Sequence, residues 1–213
     1  MATRYDTEGS GDEDIAGIAT SRTASTDDTP TVCEHHGMSP ETPPIEIRRA
    51  VPGDERDLAT IHVAAWSDAY RGLLPDDVID GQTVDRRIRQ WERTLGSGSI
   101  ASWIATVGGR PAGLISVGGT AQGDIGEVFT LHVTRPYWDL GVGSRLLEAG
   151  VAHLEALGFA SAGLWVIDTS ARGRRFLEHK GWSLNGDTRM DDTFGRAINE
   201  VRYVSRMWVN PGV

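Results

Sequence analysis

A chain of 213 residues, 39% of them apolar, suits one domain or one domain plus a tail, and no apolar run is long enough to cross a bilayer as a helix. Its net charge of −9 is concentrated at the front. Residues 1–44 hold nine acidic and two basic side chains, against 21 acidic and 19 basic in the rest, so the remainder is near neutral and has no nucleic-acid footprint. Cys33 is the sole cysteine, which excludes an internal disulfide. Met1 is followed by polar and acidic residues, so a cytoplasmic location without a membrane partner is expected.

Residues 1–44 are rich in Thr, Ser, Asp, Gly and Pro. They bury too little to offset the entropy of ordering, so a disordered acidic tail is expected there, followed by one domain over 45–213. Cys33, His35 and His36 lack a second ligand pair at zinc spacing, so no metal is expected. Ile45 to Arg48 reads as the first strand. Asp54 and Asp57 favour a helix start, and Leu58, Ile61, His62, Ala65, Trp66 and Ala69 recur at helical spacing, predicting an amphipathic helix from Glu55 to Tyr70. A break at RGLLPDD precedes a second helix start at Pro75. A third helix is predicted from Thr83 to Leu95. It presents Val84, Ile88, Trp91 and Leu95 on one face, and Arg86, Arg87, Arg89 and Arg93 on a face expected to meet solvent.

Ile100 to Val107 and Pro111 to Val117 are strand-like runs joined by Gly108-Gly109, a hairpin signal. After a turn region at Gly118 to Gly126, Val128, Leu131 and Val133 mark a central strand that Pro136 ends. Gly141 and Gly143 then open a helix carrying Leu146, Leu147, Ala149, Leu154 and Leu157, with Gly158 as its stop. Such a helix start has backbone N–H groups without intrahelical partners and the positive end of the dipole, so it is a ready anion site. A dinucleotide fingerprint needs a third glycine where this chain has Leu146, and a nucleoside triphosphate loop needs Gly-Lys-Ser/Thr; both are excluded. Ala162 to Ile167 reads as a buried strand and Ser170 to Lys180 as a helix ended by Gly181. Trp182 to Leu184 and Val201 to Val209 are the last strands. The order gives an α/β fold with a mixed sheet.

Trp138-Asp-Leu-Gly141-Val-Gly143-Ser-Arg-Leu146-Leu147, after a strand ending at Val133, resembles the acyl-coenzyme A loop of the GNAT N-acetyltransferases. Phe176-Leu-Glu-His-Lys-Gly181-Trp182 resembles that family's later helix-Gly-aromatic segment. Ala64-Ala-Trp-Ser-Asp-Ala-Tyr-Arg-Gly-Leu-Leu-Pro75 is similar to the acceptor-side helices of one bacterial branch. The resemblance spans about Ile45 to Val209. It implies a GNAT-like mixed, mostly antiparallel twisted sheet flanked by helices, with acetyl-CoA as co-substrate. The implied reaction is direct N-acetyl transfer to a primary amine of a small molecule or peptide, and a homodimer is a reasonable state. The coenzyme contacts it implies are the backbone of Leu131 and Val133 for the pantetheine arm. Trp138, Asp139, Leu140, Gly141, Val142, Gly143 and Ser144 would hold the pyrophosphate, with Ser170 and Arg174 from the later helix.

Three positions depart from the family pattern. Trp138 stands where Arg or Gln is common, and Ser170 where Asn is frequent. Leu177 stands where a Tyr would protonate the leaving thiolate. Either another group serves, such as Tyr137 or Tyr203, or the acceptor amine or solvent protonates the thiolate. Without such a donor the chain would be a coenzyme A-binding domain with little catalysis, acting as a sensor or interaction module. Glu127 is the candidate general base, or else a strand-edge carboxylate. Asp68 is a second candidate on the acceptor side, or an exposed helix acid. His132 is either packed or a base, and Trp66 and Tyr70 either wall the acceptor pocket or belong to the core.

Overall fold

The computed structural model describes residues 43–120, 125–191 and 197–206. The expected tail up to residue 42, with Cys33, His35 and His36, lies outside the described residues, as do positions 207–209 of the last predicted strand. Strand β1 (Ile45–Arg49) leads into helices α1 (Glu55–Tyr70), α2 (Asp76–Asp80) and α3 (Val84–Ser97). Strands β2 (Ile100–Val107), β3 (Arg110–Gly119) and β4 (Ile125–Val133) follow, then a 3-10 turn at Arg135–Tyr137 and helix α4 (Val142–Ala156). Strand β5 (Ser161–Ile167), helix α5 (Ala171–His179) and strands β6 (Ser183–Asp191) and β7 (Ile198–Arg206) complete the order.

The seven strands form one sheet in the order β1-β2-β3-β4-β5-β7-β6. Every neighbouring pair is antiparallel except β4 and β5, which are parallel because α4 carries the chain back across the sheet. The sequence specifies these joins locally. Gly108 and Gly109 both have positive φ, 56° and 76°, as a tight two-residue hairpin turn demands. Thr83 caps α3 by accepting a hydrogen bond from the Arg86 N–H at 3.3 Å.

Both faces of the sheet are covered. On one, α4 buries Val142, Leu146, Leu147 and Leu154 against Ile115, Val117, Val128 and Leu164, and α5 contributes Leu177. Gly150 lets the helix approach closely, since a Cβ there would stand 2.7 Å from Ile115 Cδ1 and 2.9 Å from Val117 Cγ1. Leu157, expected on this apolar face, is 57% exposed, because α4 ends at Ala156 and Leu157 is already its C-cap. On the other face, Leu58 and Ile61 of α1 and Trp91 of α3 pack on Ile104 and Leu114.

Strand β6 is longer than its predicted Trp182 to Leu184. It continues to Asp191 because it is an edge strand with no buried face, so its polar residues show no alternation to read. Among the described residues its only sheet neighbour is β7.

Candidate active site

The site begins where two strands part. The β4–β5 pairing runs from Ile125 opposite Ser161 to Val128 opposite Leu164 and stops. Beyond it, β4 stays with β3 and β5 stays with β7. A bulge lies at the same point: Val117 opposes Val128 and Ser116 opposes Thr130, so Phe129 is the extra residue. A bulge bends a strand and re-aims its side chains. The gap opens into a cleft of about 1100 Å³, with Val128 to Val133 along one wall and Leu164 to Ile167 along the other. Two strand edges released from each other offer N–H and C=O groups to an extended ligand laid between them.

One end of the cleft is the start of α4. Its first backbone bond is Arg145 N–H to Gly141 O at 3.1 Å, so the amides of Val142, Gly143 and Ser144 precede the helical ladder. Gly141 adopts φ 87°, a left-handed value that a side chain disfavours. Gly143 is different. A Cβ there would meet Phe176 at 3.5 Å and Val133 Cγ2 at 3.6 Å, which are ordinary contacts, so the protein itself leaves room for one.

The loop entering α4 is braced by Trp138, one of the three positions that depart from the family pattern. The Trp138 indole Nε1 donates to Val133 O at 2.7 Å. Arg172 stacks over the Trp138 ring, 4.2 Å from its centroid, and its guanidinium donates to Asp139 Oδ1 at 2.8 Å. Asp139 holds φ 61°, uncommon for a residue with a side chain, and the Arg172 contact fixes it there. Asp68 of α1 accepts from the Arg135 N–H at 2.9 Å and so ties α1 to the same loop.

The other end is aromatic. His62, Trp66 and Tyr70 of α1 succeed one another at four-residue spacing, and His132 reaches them from β4. The His62 and His132 rings lie 4.6 Å apart, as do those of Trp66 and Tyr70. Desolvation lowers the His132 imidazole to about 4, with the Arg87 charge adding to the effect. The same two causes, together with His132, lower His62 well below the usual histidine range. Both rings are therefore neutral at physiological pH. Burial, followed by the charge of Glu200, raises the Tyr70 phenol to about 12. Arg87 departs from expectation: it leaves the solvent face of α3 and is buried beside this end of the cleft, held by Gln82 and Gln90.

The cleft brings together Trp66, Tyr70, Leu131, Val133, Tyr137, Trp138, Asp139, Gly141, Val142, Gly143, Ser144 and Ser170. Glu127 lies in an adjoining hollow of about 510 Å³ that shares Val128, Phe129, Trp165, Arg189 and Glu200 with the cleft. It is buried, and its Oε2 accepts from Arg202 at 2.7 Å. Desolvation raises its carboxyl above the usual range, opposed by the charges of Arg202 and Arg189. Gly163 opposes Glu127 in the β4–β5 register, and a Cβ there would stand 2.6 Å from Arg202 Nη2. The missing side chain thus lets the guanidinium reach across. Arg174 bonds to Asp168 at 2.7 Å and to the Tyr203 hydroxyl at 3.3 Å, and it lies off the cleft lining, as do Asp68 and Leu140. Tyr203 is fully buried and donates to Glu178 at 2.6 Å. Leu177, at 2% exposure, is a core residue that also lines the cleft floor. Sequence reasoning preferred Arg174 to Arg172 on the later helix and put Arg87 on the solvent face of α3. Arg87 falls three residues after Val84 and four before Trp91, which places it on the apolar face, and that spacing was its signal.

Fold and site together define an α/β domain with a long cleft between parted strands, an amide-rich helix start at one end and aromatic rings at the other. The model of the acetyltransferase (GNAT) family matches residues 57–182, more than half of the chain, and the chain belongs to that family. It is an acetyl-CoA-dependent acetyltransferase. It is similar to a probable N-acetyltransferase of Mycobacterium tuberculosis, 29% identical over 147 residues, covering 68% of this chain and 83% of that protein. An uncharacterized N-acetyltransferase of Bacillus subtilis is 27% identical over 127 residues, 58% of this chain and 72% of its own. Among solved structures, a GCN5-related N-acetyltransferase from Rhodopseudomonas palustris superimposes with a TM-score of 0.64 at 18% identity, covering 78% of this chain and 96% of that one. The PaiA N-acetyltransferase from Thermoplasma acidophilum, solved in complex with coenzyme A, gives 0.59 at 17% identity, covering 77% and 99%. These two likenesses bear on the fold. Among the described residues, no helix is long and apolar enough to cross a membrane.

Proposed function

We propose that this enzyme acetylates a primary amine of a small molecule or peptide, in a ternary complex and by direct transfer. The observation that carries the reading is the parting of β4 from β5 between an amide-rich helix start and an aromatic pocket. The residues fit acetyl-CoA on three counts. The amides of Val142, Gly143 and Ser144 suit a pyrophosphate, and Gly143 leaves that approach open. The freed edge at Leu131 to Val133 suits the amide-bearing pantetheine arm. Arg172, Arg175 and Lys180 line the same end and supply positive charge. Acetyl-CoA supplies an activated acetyl group as a thioester. The single cysteine, Cys33, accords with a reducing compartment and so with a cytoplasmic reaction.

Transfer forms a C–N bond, breaks the C–S bond, removes a proton from the amine and gives one to the sulfur. Glu127 accepts the first proton through water, since desolvation raises its carboxyl above the usual range, whereas the His132 imidazole, lowered to about 4 by desolvation and the Arg87 charge, is a poor proton acceptor. Tyr137 gives the second, since it lines the cleft beside the α4 loop, whereas the Tyr203 hydroxyl is already spent on Glu178. Trp66 and Tyr70 wall the acceptor pocket. The test is thiol release from acetyl-CoA across a panel of amines, with mass-spectrometric identification of the acetylated product. Release dependent on a primary amine supports the reading. Tight coenzyme binding with no release on any amine would overturn it in favour of a sensor module.

A further inference from the structure

Arg87 plays no part in the reaction described above, yet the fold commits much to holding it. It lies on α3 with 8% of its surface exposed. Nη1 donates to Gln90 Oε1 at 2.6 Å and Nη2 to Gln82 Oε1 at 2.7 Å. Both partners are neutral, and Gln82 is itself only 4% exposed. Among the described residues no carboxylate pairs with Arg87, and its buried Nε finds no acceptor. A guanidinium has five N–H donors in a rigid fork, so three are left over. Burying a cation without a counter-ion is costly, and such costs persist where something gains from them. Desolvation brings Arg87 down only to about 10, so it remains charged at neutral pH. It lines the cleft at the His62, His132 and Trp66 end, near enough for its charge to lower both imidazoles. Arg86, exposed on the same lining, adds a second positive charge.

We propose that Arg87 receives a carboxylate carried by the acceptor, so that the substrates of this enzyme are amines that bear a carboxylate within the same small molecule or peptide end. The proposal rests on the acceptor reading above and deepens it. The two glutamines hold the fork in one orientation, as a bidentate Arg–carboxylate pair requires. The anion seats on α3, and the amine of the same molecule lies toward the parted strands.

The experiment is steady-state thiol release from acetyl-CoA with matched acceptors: short ω-amino acids as free carboxylates, as primary amides and as phosphonates. For the wild type, kcat/KM for the carboxylate exceeds that for the amide about 100-fold, mainly through KM, which is the loss of one buried charge-assisted pair expressed as a ratio. In Arg87→Lys the point charge remains but the fork is lost, and the carboxylate-to-amide ratio falls at least about tenfold. Arg87→Gln brings the ratio close to one. Should that variant fail to fold, the wild-type panel and Arg87→Lys still decide. Equal efficiency on carboxylate and amide, a preference for the phosphonate, or a ratio unchanged in Arg87→Lys would each overturn the assignment and leave the N-acetyltransferase reading standing. No release with any amine would overturn that reading itself.

Discussion

Replacing Gly143 by alanine should separate folding from ligand binding. The added methyl would sit 3.5 Å from Phe176 and 3.6 Å from Val133 Cγ2, at ordinary van der Waals distance, and the backbone there has no positive φ. Gly143 lies in the first turn of α4, where alanine is the better helix former by about 0.5–1 kcal/mol. For a domain of this size that raises the melting temperature by about 2 °C. The coenzyme must nevertheless approach the same amides, and a methyl that holds its pyrophosphate off by a few tenths of an ångström costs at least about 1.4 kcal/mol, a tenfold weaker Kd. Gly141→Ala is the control. With φ at 87°, alanine there costs about 1–2 kcal/mol of backbone strain, so the melting temperature falls by about 4 °C. Thermal melts and calorimetric titration with coenzyme A read both effects. A Gly143→Ala protein that melts higher and binds coenzyme A as tightly as the wild type would refute the placement of the pyrophosphate on α4.

His132 titrates near 4 in the folded protein and near 6.5 when unfolded, so the unfolded chain takes up its proton first as pH falls. Its share of stability is therefore complete above about pH 6.5 and lost progressively toward pH 4. Urea unfolding between pH 7.5 and 4.5 should show a shallower decline for His132→Gln, and equal declines would contradict its desolvation. Glu127→Gln should lower kcat about 100-fold, more than His132→Gln does, in thiol-release assays. Tyr137→Phe should lower kcat by a similar factor while leaving the coenzyme Kd within twofold. Arg202→Met strands the buried Glu127 carboxylate and should cost about 2–3 kcal/mol in urea unfolding; a loss under about 0.5 kcal/mol would mean that solvent screens the pair.

What the sequence made legible were features with local causes. The Gly108-Gly109 turn, the α1 stripe of Leu58, Ile61 and Ala65, and the Gly141 entry into α4 each depend on a few neighbouring residues. Features whose cause lies across the fold were hidden. Arg202 and Glu127 are 75 residues apart, and their contact requires β7 beside β5 and a glycine at 163. Trp138 reads as a departure from a motif until its indole is seen on Val133 O and its ring under Arg172. Strand β6 has no buried face, so hydrophobic alternation does not report it. Arg87 sat on the apolar side of α3 by spacing alone, but its charge argued for solvent, and the two glutamines that hold its fork come together only in the fold.

In the proposed complex, acetyl-CoA lies between the parted strands with its pyrophosphate on the first turn of α4. Amide hydrogen exchange, followed by NMR with and without the coenzyme, tests it most directly. Exchange should slow on binding at Val142, Gly143 and Ser144 and along Leu131 to Val133, the groups left outside the helical and β4–β5 ladders. Unchanged exchange at both segments in a coenzyme-saturated protein would contradict it.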